Sequence, residues 1–339
     1  MDINKLKGRL AEYPQVELMW GRTPIVHAAN ISRELGIDLF IKRDDLTGLA
    51  LGGNKTRKLE FLLGEARSKN CDTVITAGAV HSNHALQTAA AAQKLGMKPV
   101  LVLRGVAENK GNYFLDRLLG ADIRVFDVEA GGELKNYMEE IQGEYIAGGK
   151  RPYLIPVGGS SPTGVLGYIK AVIEIMEQCK EMNLAFDYLV SATSSGGTQA
   201  GILLGCKAIA PGAKPLCIGV GDPREELLAD VRLLVEETSS RLGLEGGVPT
   251  GGEIEEATIG GYGFGGYGTI VKEVVDLIRS VARKEGLYLD PVYTGKAFLG
   301  LMDLAKREII PPGSRVLFLH TGGLGGLFQY EDMIGEMLP

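Results

Sequence analysis

The sequence predicts an α/β protein of two domains, each built on a mostly parallel twisted sheet that helices flank. Short apolar segments alternate with amphipathic helical segments along the whole chain, which is typical of parallel sheets covered on both faces. About eight to ten segments have the character of strands, which is too many for one small sheet. Glycine-rich loops at 52–54, 78–83, 193–198 and 321–326 come after strands, where folds of this class bind ligands.

The composition excludes several classes of function. The 339 residues are 45% hydrophobic and 23% charged, which is ordinary for a globular protein of one large or two smaller domains. A net charge of −6 with mixed acids and bases argues against nucleic acid and anionic membranes as partners. The chain begins without the apolar core of a signal peptide and has no bilayer-long apolar run, so we expect a cytoplasmic location. Four scattered histidines and four cysteines without a CxxC pair predict no structural metal site.

The first half of the chain is predicted to alternate helices with strands. The predicted strands are 38–43, 73–76, 98–104, 122–126 and 152–156. The predicted helices are a polar first helix and the segments 28–35, 55–68, 82–95, 112–119 and 134–146. Their apolar residues recur at the spacing of one helical face.

The second half continues the same alternation. The predicted strands are 188–191, 216–220 and 315–319, with a short extended segment at 288–290. The predicted helices are 164–181, a helix from the 193–198 loop to 209, 224–242, 270–284 and one after Thr294. A glycine-rich crossing segment at 157–161 suggests a domain boundary. We therefore predict a large domain of residues 1–50 plus 158–339 and a small domain of residues 51–157.

The turn Gly52-Gly53-Asn54 delivers a lysine, Lys55, to the start of a predicted helix. The helix dipole disfavours a positive charge at this end, so the lysine loses its proton more readily. A neutral amine is a nucleophile. The alternative is a surface lysine in the first turn of a helix.

A second loop has the composition of a phosphate cradle. Ser195, Gly196, Gly197 and Thr198 lie between a buried strand and a helix, where backbone amides, hydroxyls and the helix N-terminus can converge on an anion. The spacing is not that of a P-loop. The alternative is a tight turn with a Ser or Thr cap.

A third site is predicted at Ser82-Asn83-His84, which opens a helix after a strand. The free N–H groups there suit a substrate carboxylate, and Ser82 could donate or accept a proton, although serine is more often a helix N-cap. A nucleophilic lysine, a phosphate cradle and a carboxylate site together describe pyridoxal phosphate and an amino acid substrate.

Several motifs occur in an order that matches one enzyme family. They are Ile41 to Asp45, Gly52 to Glu60, Ala77-Gly78 with Ser82-Asn83-His84, Ile155 to Ser161, Leu289 to Lys296 and His320 to Gly323. Over nearly its whole length the chain resembles the fold type II, or tryptophan synthase β-like, pyridoxal-phosphate enzymes. Within them it resembles the group of D-cysteine desulfhydrase and 1-aminocyclopropane-1-carboxylate (ACC) deaminase. The resemblance implies a homodimer with the cofactor in the cleft between two domains.

The resemblance also implies roles for the cofactor-binding positions. Lys55 would hold the cofactor as a Schiff base. Lys58 and the loop from Ser195 to Thr198 would bind its phosphate, and Asn83 would hydrogen-bond the pyridoxal hydroxyl. Ser82, with nearby backbone amides, would hold the substrate carboxylate and could move a proton.

Two tyrosines, Tyr267 and Tyr293, would flank the substrate according to the same resemblance. The sequence departs from the family pattern near the first of them, where Thr269-Ile270 replaces a longer polar turn. Tyr262, also between glycines, is therefore a rival to Tyr267. His81 stands where relatives often carry glutamine.

Thr294 and Thr321 separate the two activities of the group. Related ACC deaminases carry Glu and Leu at these positions, whereas the threonine pair resembles the desulfhydrases. A carboxylate near the pyridine nitrogen would keep it protonated, which opening a cyclopropane needs. Thiolate is a better leaving group, so a neutral threonine suffices.

The sequence thus predicts a β-eliminating lyase, with D-cysteine desulfhydrase as the leading hypothesis and Lys55 or Ser82 as the base. ACC deaminase, a lyase for another β-substituted amino acid such as cysteate, and a non-catalytic cofactor-binding protein are the alternatives. The choice between D and L substrates stays open, because it depends on placement within about an ångström.

Overall fold

A computed structural model describes residues 2–128, 133–221, 223–244 and 247–338 of the protein. Its strands form two sheets, which confirms the predicted α/β class. The strands are β1 (Ile25–His27), β2 (Asp38–Lys42), β3 (Thr73–Ala79), β4 (Lys98–Arg104), β5 (Asp122–Phe126), β6 (Pro152–Ile155), β7 (Tyr188–Thr193), β8 (Lys214–Gly219), β9 (Thr258–Ile259) and β10 (Arg315–Leu319).

Helices cover the sheets. They are α1 (Ile3–Ala11), α2 (Ala29–Leu35), α3 (Lys55–Ser68), α4 (Asn83–Lys94), α5 (Gly111–Leu118), α6 (Leu134–Ala147), α7 (Pro162–Met182), α8 (Gly197–Ile209), α9 (Arg224–Leu242), α10 (Gly251–Ala257), α11 (Lys272–Glu285), α12 (Thr294–Lys306), α13 (Gly325–Gln329) and α14 (Glu331–Met337). The sequence analysis did not predict α10, α13 and α14, which are short.

The larger sheet has six strands in the order β1-β2-β10-β7-β8-β9. Four of its five pairings are parallel, and β1 pairs antiparallel with β2 at the edge. The sequence analysis missed β1 and β9 because segments of three and two residues are too short to show a hydrophobic period.

The smaller sheet has four parallel strands in the order β5-β4-β3-β6. These strands lie within 73–155, and those of the larger sheet lie outside this range. The predicted boundaries near residues 50 and 158 stay predictions, and α3 shows why they are difficult to set. Although α3 belongs to the predicted small domain, Arg57 donates to Asp44 and to Glu174 of α7, both in the predicted large domain.

These contacts are part of a buried ion cluster behind the glycine turn. Arg57 Nη2 lies 2.7 Å from Asp44 Oδ1, and Arg57 Nη1 lies 2.7 Å from Glu174 Oε2. Lys42 joins the cluster through Glu174. Asp44 is fully buried, and Tyr168 and Thr23 also donate to it. The cluster holds the first turns of α3 against α7.

In the part of the chain that the structure describes, no helix combines the length and apolarity needed to cross a bilayer. Within the same residues no three or more His, Cys, Asp or Glu side chains cluster as a metal site would require. The expected homodimer and cytoplasmic location stay predictions.

Candidate active site

A cavity of about 200 Å³ lies at the carboxyl ends of strands from both sheets. The starts of α3 and α4, the β7–α8 loop and the loop after β10 line it together. The predicted site residues that line it are Lys55, Ser82, Asn83, His84, Ser195, Gly196, Thr198, Tyr267, Tyr293 and Thr321. Those that do not line it are Lys58, Gly197 and Thr294.

Lys55 is the first residue of α3 and is held in place by the turn before it. Gly53 has φ +133°, and a β-carbon there would lie 2.6 Å from Gln87 Nε2 and 2.9 Å from Thr321 O. The N–H of Asn54 donates to Thr321 O at 3.1 Å. Desolvation lowers the pKa of Lys55 to about 8. The helix dipole motivated the prediction of a lowered pKa, but loss of solvent is the cause that the structure supplies.

The predicted phosphate loop wraps the N-terminus of α8. Gly196 adopts a left-handed φ of +74°, which turns the chain into the helix. A β-carbon on Gly197 would lie 2.6 Å from Ser160 Oγ and 2.7 Å from Lys58 Nζ, so only glycine fits. Ser160 Oγ donates to Ser195 Oγ at 2.9 Å and accepts from the Gly197 N–H at 3.3 Å. Lys58 therefore stands behind the backbone of the loop.

Among the residues that the structure describes, the ionised side chains at the cavity are cationic. Its lining includes Lys55 and Arg104, and among the described residues no Asp or Glu lines it. Lys58 is buried and donates to Gly158 O at 3.1 Å. Desolvation and the charge of Lys55 hold the pKa of Lys58 well below its ordinary value. A phosphate at the start of α8 would supply the missing negative charge, so the residues present fit the phosphate of pyridoxal phosphate.

The start of α4 forms the opposite wall. Ser82 Oγ accepts from the N–H of Ala85 at 3.2 Å, so Ser82 is the N-cap of this helix. The cap satisfies one of the orphan N–H groups of the first turn and leaves those of Asn83 and His84 at the cavity. This is the arrangement predicted for a carboxylate.

A hydrogen bond to Thr76 fixes the orientation of the His84 side chain. Thr76 Oγ1 donates to Ile155 O at 2.8 Å, so it accepts from His84 Nε2 at 2.8 Å. This places the proton of His84 on Nε2. Burial, with the charges of Lys55 and Lys58, holds the pKa of His84 well below its ordinary value. His84 is therefore neutral, and a substrate contact through its side chain stays a prediction.

Aromatic side chains form the wall of the cavity next to the start of α12. The hydroxyl oxygens of Tyr267 and Tyr293 lie 2.5 Å apart. The ring of His81 stacks on Tyr267 at a centroid distance of 5.3 Å, and the guanidinium of Arg104 lies 5.8 Å from the centroid of Tyr267. Tyr262 donates to Asp303 at 2.7 Å and does not line the cavity. The structure thus favours Tyr267 over its rival.

The two threonines occupy different positions. Thr321 lines the cavity, whereas Thr294 is fully buried and donates to Asp290 Oδ1 at 2.7 Å. The carboxylate of Asp290 also accepts from the N–H groups of residues 292–294, so Asp290 caps α12. The Thr294 hydroxyl is thus bonded to Asp290 and not directed into the cavity. The predicted extended segment 288–290 is not a strand in the structure.

Sequence reasoning missed three residues near the cavity. Arg104 ends β4, the neighbour of β3, and Asn54 lies in the glycine turn. Ser160 belongs to the crossing segment, which carries part of the family resemblance and a predicted domain boundary but no predicted site residue. The signal for Arg104 was present, because carboxyl ends of neighbouring parallel strands meet at one edge of a sheet.

Comparisons with known proteins agree with this geometry. A family model described as "Pyridoxal-phosphate dependent enzyme" matches residues 16–322. A Pyrococcus abyssi protein named "Putative 1-aminocyclopropane-1-carboxylate deaminase" is 51% identical over 98% of this chain and 99% of its own. The D-cysteine desulfhydrase of Klebsiella pneumoniae is 38% identical over 95% of this chain and 98% of its own. A crystal structure of an ACC deaminase homologue has a TM-score of 0.93 and 48% identity, covering 98% of this chain and 99% of the other.

The family match covers most of the chain, and these similarities extend over nearly its full length. The cavity contains a lysine amine, a glycine-rich loop at the start of one helix and the N-terminus of another, which fit the parts that the cofactor and an amino acid require. The chain therefore belongs to the pyridoxal-phosphate dependent enzymes of fold type II, in the family that includes proteins named as ACC deaminases and D-cysteine desulfhydrases.

Proposed function

We propose that this enzyme is a carbon–sulfur lyase that converts D-cysteine to pyruvate, sulfide and ammonia. The observation that carries the proposal is the wall of the cavity at Thr321. A threonine lines it, and no carboxylate of the described residues does. If Thr321 faces the pyridine nitrogen of the bound cofactor, its neutral hydroxyl would not hold that nitrogen protonated. The site then suits a reaction whose leaving group is good, and thiols have a pKa of only about 8.5.

The chain supplies groups that would hold the cofactor. Pyridoxal phosphate, when bound, supplies an electron sink for negative charge that develops at the α-carbon of an amino acid. Lys55 is the amine that would anchor it. The Ser195–Thr198 loop and the N-terminus of α8 would hold its phosphate, with Lys58 behind them to balance the charge.

The substrate would be oriented by the start of α4. The N–H groups of Asn83 and His84 lie at the cavity, and the helix dipole favours a carboxylate there. Since Ser82 already accepts from Ala85 N, its hydroxyl hydrogen is available to donate to the same carboxylate. A fixed carboxylate positions the α-carbon for proton removal.

Two proton transfers complete the reaction. Once the amine of the substrate has replaced it on the cofactor, Lys55 is a free amine with a pKa near 8, is therefore partly neutral, and would take the proton from the α-carbon. The bond from the β-carbon to sulfur then breaks, and the tyrosine pair of Tyr267 and Tyr293 donates a proton to the departing sulfur. The 2-aminoacrylate that is released reacts with water to give pyruvate and ammonia.

The test is pyruvate release from D-cysteine, L-cysteine and ACC, measured side by side on protein that shows the absorbance of bound cofactor. The proposal expects high kcat/KM with D-cysteine and a value at least about 100-fold lower with ACC. ACC turnover above that on D-cysteine would overturn it. Pyruvate from L-cysteine alone would support the lyase activity but show that the substrate is the L enantiomer.

ACC deaminase is the second candidate because the Pyrococcus relatives that carry this name are more similar to the chain than the Klebsiella desulfhydrase is, at 51% against 38% identity. ACC has no β-leaving group, so its ring must be opened. Opening the ring depends on a stronger electron sink. A carboxylate near the pyridine nitrogen would then contribute more to the reaction than the side chain at position 321. Deamination of ACC to 2-oxobutanoate in the same assay would support this candidate.

A further inference from the structure

We infer that Asn112 is a positioning residue for the cofactor. It holds the side chain of Asn83 so that the amide nitrogen of Asn83 faces the cavity and donates to the pyridoxal hydroxyl. The inference depends on the cofactor of the family and not on the substrate proposed above.

Asn112 lies in the first turn of α5, outside the cavity, and is fully buried. Its Nδ2 atom donates to two acceptors on the segment that starts α4. One is the backbone oxygen of His81 at 2.8 Å, and the other is Asn83 Oδ1 at 2.8 Å. A single amide group of α5 therefore holds both the backbone and a side chain of this segment.

These two bonds determine which way the Asn83 amide points. A backbone carbonyl can only accept, so the atom of Asn112 that contacts His81 O is the nitrogen. The second hydrogen of that nitrogen then requires an acceptor, which assigns the contacting atom of Asn83 as its oxygen. The nitrogen of Asn83 is consequently turned away from Asn112. Since Asn83 lines the cavity, a donor is presented there.

The orientation has a chemical consequence. The pyridoxal hydroxyl loses its proton readily, and an N–H donor stabilises the resulting oxyanion. A flipped Asn83 would direct its oxygen at that oxyanion and repel it. Asn112 packs closely against α13, since a β-carbon on Gly325 would lie only 1.9 Å from Asn112 Oδ1. The two bonds that its Nδ2 atom donates set the orientation of the Asn112 amide.

The experiment is a double-mutant cycle on cofactor affinity. Apo-protein is titrated with pyridoxal phosphate, and the dissociation constant is measured for wild type, Asn112→Ala, Asn83→Ala and the double variant. Each single substitution is expected to weaken binding about tenfold, and Asn112→Ala is expected to add little in the Asn83→Ala background. Equal effects of Asn112→Ala in both backgrounds, or none in either, would overturn the inference.

Two further variants keep the test decisive. Asn112→Asp preserves the shape but removes the paired donors, so it carries the cycle if Asn112→Ala does not fold. Asn109→Ala is the control, since Asn109 bonds Arg117 on the exposed side of the same region. In the holoenzyme, loss of the Asn83 donor is expected to shift the absorbance towards the short-wavelength form in which the pyridoxal hydroxyl keeps its proton. Weaker binding with an unchanged spectrum and pH profile would reduce Asn112 to a merely structural role and refute its action through Asn83.

Discussion

The hydroxyl oxygens of Tyr267 and Tyr293 lie 2.5 Å apart, although the two residues are 26 positions apart in the chain. Tyr267 comes from a glycine-rich loop, and Tyr293 immediately precedes α12. Burial and the neighbouring Tyr267 hold the pKa of Tyr293 well above its ordinary value. The Tyr293 hydroxyl is therefore protonated at neutral pH and lies against the Tyr267 hydroxyl at the wall of the cavity.

We predict that Tyr293→Phe lowers kcat on D-cysteine about 100-fold and leaves the absorbance of bound cofactor unchanged, because only the proton donor is lost. Tyr267→Phe should have an effect of similar size. The double variant should be only slightly worse than either single one, since the two hydroxyls act as a unit. Tyr262→Phe is the control, because Tyr262 bonds Asp303 outside the cavity. Additive effects would show that the two tyrosines act separately.

Cofactor capture should depend on pH through Lys55. Its amine must be neutral to attack the aldehyde, and its pKa is about 8. The rate at which apo-protein gains visible absorbance after addition of pyridoxal phosphate should rise with pH and level off above about 8. An ordinary lysine would continue to gain reactivity towards pH 10.4. Lys55→Ala should gain no such absorbance at any pH, and persistence of the absorbance in this variant would refute Lys55 as the anchor.

Lys296 should be needed to hold the loop of Tyr267. It is fully buried in α12, and its Nζ donates to Gly263 O at 2.9 Å, Val220 O at 3.3 Å and Gly266 O at 3.4 Å. Lys296→Met keeps the length of the side chain and removes all three bonds. We expect lower kcat and a loss of about 1–3 kcal/mol in the free energy of unfolding, since carbonyls are left buried without a donor.

The matched control for this substitution is Lys306→Met on the exposed side of the same helix. Steady-state kinetics and urea unfolding measure the two quantities separately. Unchanged kcat in Lys296→Met would contradict the assignment of Lys296 to the Tyr267 loop.

The buried ion cluster should dominate stability near Lys55. Asp44→Asn leaves Arg57 buried with one carboxylate partner fewer, so we expect a loss of about 3–5 kcal/mol in the free energy of unfolding. Asp45→Asn is the control, because Asp45 pairs with Arg43 in a more exposed position. Urea unfolding at neutral pH measures both. A loss no larger than that of the control would contradict a stabilising role of the cluster.

The carboxylate of Asp44 also makes the free energy of unfolding of the wild-type protein depend on pH. Burial alone would raise the pKa of Asp44, but the charges of Arg57 and Lys42 and the hydrogen bonds from Arg57 and Tyr168 together lower the pKa from its ordinary value. The unfolded state therefore binds the proton first as the pH falls. The stabilisation is present above the unfolded pKa and is lost as the pH falls through the folded one. Asn at position 44 should remove this part of the acid sensitivity.

Much of the fold was predictable because it depends on local patterns. Alternating apolar segments identified the strands β2 to β8 and β10 of the two sheets, and the helical spacing of apolar residues identified the long helices. The short edge strand β1 was missed, since three residues carry too little pattern. The glycine turn before Lys55 was recognised because its composition is itself the signal.

The sequence predicted which loops form the candidate site and which chemical groups they carry. It did not predict which side chains contact one another there. Lys58 was expected at the phosphate and lies behind its loop against Gly197. Thr294 was expected at the cofactor and instead donates to Asp290. Arg104 and Asn112 had no motif, because their roles depend on neighbours from other strands and helices.

The sequence by itself determined the fold class, the three loops and the chemical types that select pyridoxal phosphate. These properties follow from residue identity and spacing, which persist whatever the rest of the chain does. Only the tertiary structure decided that Tyr267 contacts Tyr293, that Thr321 rather than Thr294 lines the cavity, and that Asn112 donates to Asn83. Side-chain direction depends on how distant elements pack, and a shift of one residue in a loop or helix would replace each of these contacts.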